Sequence, residues 1–130
     1  HIVTNMGLES GEVPYTTFMM RKDTIENEPG FAAAFVRAIY RAQKWVWAAG
    51  DEEVAYAMQS YFPDTDIATL SAVAKSYRAT DSWTRVPTMT EDAFTRLQDI
   101  LDGAGELAAR IELSELVDNS FGEAAISEIG

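Results

Sequence analysis

Carboxylates are the residues of this chain with the most obvious capacity for chemistry. Asp51, Glu52 and Glu53 stand in a row, and Glu91 and Asp92 follow Thr90. Either group has the residue types of a divalent-cation site or an acid/base pair. Both also fall where a helix is expected to start, and negative charge in a first turn is favoured by the helix dipole. Helix capping is therefore the expected role of both. Glu9 is different: it lies between Gly7 and Gly11, beside Ser10, in a connection where a carboxylate is solvated unless it faces a cleft. Trp83 lies in the polar stretch Thr80 to Thr88 with Pro87, where it either lines a pocket or plugs a gap between helices.

Other chemistry is excluded by what is absent. The single histidine is His1, so the usual general base and a Ser-His-Asp arrangement are not available within the chain. There is no cysteine, hence no disulfide, thiolate metal site or Cys nucleophile. No G-x-S-x-G and no Walker A loop occurs. Gly103 and Gly105 in DGAGEL lack the third glycine and the preceding strand of a dinucleotide loop, and suit a helix end. No catalysis and no cofactor is expected.

These residues must be positioned by 130 residues that are 47% hydrophobic and 11% aromatic, a composition that folds. The net charge of −11 repels phosphate backbones and anionic lipids, so neither nucleic acid nor a membrane surface is an expected partner. The N-terminus lacks a basic region followed by an apolar run, and no stretch approaches the roughly 20 apolar residues that span a bilayer. A start at His1 points to something removed upstream.

The pattern predicts one strand or hairpin followed by five to six helices, a mainly α fold with a small β element. His1 to Asn5 and Val13 to Arg21 are the extended candidates. Asp23 and Glu26 have capping-box spacing for a turn over Asp23 to Asn27. Pro29 to Gly50 is the clearest helix, with Phe31, Phe35, Ile39, Ala42 and Val46 on one face. Asp51 is expected to cap a helix ending near Phe62, before Pro63. Thr65 or Asp66 caps one through Tyr77, and Thr90 one ending at Gly103 or Gly105. A weak turn at Leu113 to Val117 and a short helix from Ser120, with Glu123 at capping-box spacing, complete the chain.

Four stretches in order carry a resemblance: ESGEVPYTTFMMRKDTIENEPGFAAAFVRAIYRAQKWV, YFPDTD, WTRVPTMTEDAFTRLQDILDGAGEL and LVDNSF, together spanning Glu9 to Phe121. Each is mostly caps and core positions, but in this order the chain resembles the C-terminal part of ABC-transporter substrate-binding proteins, in the family handling nitrate, sulfonates, taurine and thiamine precursors. The resemblance implies the C-terminal portion of a two-lobed α/β periplasmic-binding-protein (type II) fold. It would be extracytoplasmic, periplasmic or a membrane-anchored lipoprotein, and would deliver a small solute to an ABC permease. Residues 1–22 would be the hinge crossing and a strand of the first lobe's sheet, and 23–130 the helical part of that lobe. Glu9 matches the family's cleft-facing glutamate, with Ser10 beside it and Tyr15 following the same proline; these three are the implied ligand-binding residues. Here Glu12 follows Gly11, a departure from the commoner pattern. Members are well over twice this length, so the chain is expected to be a fragment or a separately produced domain. The Val13 to Arg21 strand would then pair with the chain's own N-terminus or with a second copy in a homodimer. The alternative is a stand-alone helical protein–protein interaction module.

Overall fold

A computed structural model describes residues 9–130, and the expected strand at His1 to Asn5 lies outside them. The fold is mainly helical. In order come α1 (Lys22–Asn27), α2 (Pro29–Ala48), α3 (Asp51–Met58) with a 3-10 turn at Gln59–Tyr61, α4 (Ile67–Ala79), α5 (Glu91–Gly103), α6 (Leu113–Leu116) and α7 (Ser120–Ile129).

The expected strand at Val13 to Arg21 is not formed. No strand exists among the described residues, and no backbone hydrogen bond ties residues 13–20 to any other described segment. The residues favour extension, but a strand is completed only by a neighbour that takes up its N–H and C=O groups. No described segment offers one. The stretch instead lies against α2, where Phe18 meets Phe35 edge to face at 5.2 Å.

Where the caps are made is set by where the chain leaves helical geometry, and this separates correct from displaced expectations. Asp66 caps α4, its carboxylate accepting from the Thr69 N–H at 2.8 Å. Thr90 caps α5, accepting from Ala93 N–H at 3.2 Å. Asp23, Asp51 and Ser120 are not caps: Arg21, Gly50 and Asn119 hold those positions and make no side-chain cap bond. Asp23 instead pairs with Arg21 at 2.7 Å. α5 ends as expected at its glycines, with Gly105 at φ 74 and Glu106 N–H donating to Leu101 O, the two signs of a Schellman turn.

Two helix pairings organise the packing. α3 packs against α4, with Val54, Ala55, Leu70 and Ala74 buried between them and their neighbours. α2 packs along α7, with Arg37 to Glu128 at 3.7 Å and Lys44 bonded to the Gly130 carbonyl. Arg78 joins the two pairs. Its guanidinium donates to the Val46 and Ala49 carbonyls at 2.6 Å and to Asp51 at 2.5 Å, so one cation closes the C-terminal end of α2 and holds the first turn of α3.

Irregular segments are held by side-chain amides. Gln98, buried in α5, donates from Nε2 to Ile111 O at 3.1 Å and accepts from Ile111 N–H at Oε1 at 2.9 Å. Asn119 does the same for Met89, at 2.9 and 3.0 Å. Each amide supplies a loop residue with the pair of bonds a neighbouring strand would give.

Candidate functional site

The site is built at the C-terminal end of α4. Thr80 ends the helix, Asp81 takes a left-handed conformation (φ 51), and the Ser82 N–H returns to the Tyr77 carbonyl at 2.9 Å. This is a helix-ending turn of the kind glycine usually makes; aspartate tolerates it better than most residues. The Thr80 and Ser82 hydroxyls meet at 2.7 Å. The turn carries the chain back so that Trp83 packs edge to face on Tyr77, ring centroids 5.3 Å apart.

The facing wall is the segment after Ser10. Gly11 turns the chain with φ 75, and Arg96 of α5 donates to the Glu12 carbonyl at 2.7 Å, fixing the segment's course. The close seat of the Arg96 guanidinium on Gly11, where a Cβ would stand 3.3 Å from it, adds to the preference for glycine.

Between the two walls lies an open depression of about 840 Å³. Tyr15, Tyr77 and Trp83 are its aromatic surfaces, Glu12 and Asp81 its carboxylates, and the remaining polar groups are chiefly the hydroxyls of Ser10, Thr16, Thr80 and Ser82. Of the residues singled out from sequence, Ser10 and Tyr15 are brought together here, and Trp83 joins them as a pocket wall. Glu9 is exposed and does not line the depression. Tyr77, Glu12 and Asp81 were not anticipated; a helix ending at Thr80-Asp81 without a glycine was the available signal for Asp81. The acidic run at Asp51 gathers no cation site: among the described residues no three metal-ligating side chains cluster.

A second feature adjoins this one. The apolar face of α2 is aligned as expected, yet it is not covered. Phe31 and Ala42 are exposed, Phe35, Ile39 and Val46 half-buried, and together with residues 13–20, Val86, Pro87 and Leu97 they line a broad open surface. Tyr15, Phe18 and Met19 are 98%, 72% and 92% exposed. On the same helix, Gln43 Oε1 and Trp47 Nε1 are buried without a hydrogen-bond partner among the described residues. The accessible surface is 9450 Å², whereas a folded monomer of 14.4 kDa is expected near 6,800 Å². Residues 1–8 could supply at most about 1,300 Å² of the difference, the value for a fully extended chain of that size.

Comparison with known proteins gives one informative relative. The Bacillus subtilis (strain 168) protein named "Putative binding protein YtlA" is 36% identical to this chain over 128 residues. The alignment takes in 98% of this chain and 38% of that protein, so the chain spans well under half of its relative's length. No family model matches the chain, and no solved structure matches it significantly. The chain is thus similar, nearly end to end, to part of a protein named for binding.

Proposed function

We propose that this chain is the C-terminal segment of an extracytoplasmic solute-binding protein. In this reading the complete protein captures a small solute between two lobes and presents it to an ABC permease, with no chemical step on the solute. The observation that carries the reading is the uncovered apolar face. The excess surface of the whole chain, even after the allowance for residues 1–8, exceeds the roughly 800 Å² that one partner buries in a standard interface, and the most apolar part of it is this face. Among the described residues it includes a β-favouring segment with no ladder, and it sits beside two buried polar atoms with no partner there. A larger protein of the relative's length would supply the missing cover. Sheet strands flanking residues 13–20 would satisfy that backbone, and closure of the lobes would be a hinge motion about the crossing before it.

The test is the upstream reading frame and its product. The expected frame encodes about 200 further residues, the balance of the relative's length, with alternating strands and helices behind an export signal. In the longer product, amides of residues 13–20 should exchange slowly; in the 130-residue chain they should exchange freely. A frame that opens close to His1, with a monodisperse monomer that binds no hydrophobic dye, would overturn the proposal.

A further inference from the structure

We propose that the depression between residues 10–16 and the α4 terminus takes a small organic cation, an aromatic or alkyl ammonium, and rejects oxyanions. The inference rests on the solute-binding reading above and assigns the ligand's chemistry. Two carboxylates, Glu12 and Asp81, line the space, and no Lys or Arg does so among the described residues. The arginines of the surrounding elements are engaged: Arg78, in the last turn of α4, holds the Val46 and Ala49 carbonyls and Asp51. Arg96 is bonded to the Glu12 carbonyl, and the Arg85 guanidinium carbon lies 3.5 Å from the Trp47 ring centroid. Arg85 Nε also reaches Asp81 at 3.6 Å, with both side chains largely exposed, so a bound ammonium competes with Arg85 for this carboxylate and must draw the rest of its affinity from the rings.

Two further features act in the same direction. The depression lies at the C-terminal end of a 13-residue helix, the negative pole of its dipole. Trp83, half-buried, and Tyr77, 45% exposed, offer π faces that attract an ammonium group, and Tyr15, 98% exposed, adds an open ring at the rim. An oxyanion would need guanidinium forks or clustered N–H donors and would face like charge instead. The net charge of −11 extends the same bias into solution.

The test follows the indole N–H signals of the three tryptophans in the 15N-labelled chain, with Trp83→Phe identifying the Trp83 signal. Benzyltrimethylammonium should move that signal with saturation and leave that of Trp45 in place; Trp47, stacked under the Arg85 that pairs with Asp81, is not used as a control. Nitrate and methanesulfonate should move none. The double variant Glu12→Gln, Asp81→Asn, checked for unchanged unfolding, should weaken cation binding about tenfold, equivalent to about 1.4 kcal/mol. An unmoved Trp83 signal at tens of millimolar cation, a response to either oxyanion, or undiminished binding by the double variant would overturn the assignment. The two proposals fail separately. A two-lobed upstream frame with an unresponsive Trp83 sinks only the ligand class; a saturable Trp83 response without such a frame upholds the ligand class and sinks only the parent protein.

Discussion

Asn119 grips Met89 by both ends of one peptide unit's worth of polarity: its amide donates to the Met89 carbonyl and accepts from the Met89 N–H. The residues are 30 positions apart, and the pair fixes the approach to α5 against the start of α7. Asn119→Asp keeps the acceptor but turns the donor into a second acceptor facing a carbonyl. A loss of roughly 2 kcal/mol is expected, close to that of Asn119→Ala, because a half-buried carbonyl is left unpaired in both. Urea unfolding of the three proteins measures it; a neutral Asn119→Asp would show that the amide orientation is wrong.

Close packing beside that joint gives a second prediction. A Cβ on Gly122 would enter the van der Waals envelope of the Pro87 carbonyl oxygen and stand 2.8 Å from Thr88 Cγ2. Gly122→Ala should cost about 1–3 kcal/mol, the range for overpacking. Gly103→Ala meets nothing within 4 Å and should be neutral or mildly stabilising. Equal midpoints for the two variants in thermal unfolding would contradict the packing described.

Arg78 supplies the third. Arg78→Met keeps much of the side chain's bulk and removes the bonds to Val46, Ala49 and Asp51. A loss of roughly 2–3 kcal/mol is expected, the scale for charged hydrogen bonds to partners left behind in a part-buried site. Hydrogen exchange should localise it: amides at the end of α2 and the start of α3 open first. Uniformly faster exchange across α5 as well would argue against a local closure.

Acid should act through Asp66. The Thr69 N–H and hydroxyl both donate to its carboxylate and hold its pKa below the ordinary aspartate value. A carboxyl with a lowered folded pKa contributes stability that is complete above the unfolded value, near 3.9, and is lost as pH falls through the folded one. Asp66→Asn should therefore flatten this part of the acid limb of stability against pH while changing little at neutral pH, since asparagine also caps. Parallel acid limbs for the two proteins would remove Asp66 from the account.

How much of this was legible in the residues depends on how many segments each feature needs. The stripe on α2 and the caps at Asp66 and Thr90 are local and were readable from spacing. Asp51, Asp23 and Ser120 carry the right chemistry one or two positions too late, because Gly50, Arg21 and Asn119 are where the backbone turns. Val13 to Arg21 has a strand's composition, but a strand is a property of at least two segments, and its expected neighbour, His1 to Asn5, lies outside the described residues. The grips of Gln98 and Asn119 join residues 13 and 30 apart and leave no periodic trace. Tyr15 and Trp83 were noticed separately; only the turn at Asp81 shows that they share a space.

The Asn119 joint also sets a chemical clock. Asparagine followed by a small residue such as Ser120 is prone to deamidation, in which the next backbone nitrogen attacks the side-chain carbonyl. Here that nitrogen is occupied, its N–H bonded to the Asp118 carboxylate, while the amide it would attack is held on Met89. The folded chain therefore shelters the bond, and each excursion to the unfolded state exposes it. Attack there expels ammonia and closes a succinimide, which water opens to aspartate or isoaspartate; either product lacks the N–H that held the Met89 carbonyl, so the modified chain refolds with a weaker joint.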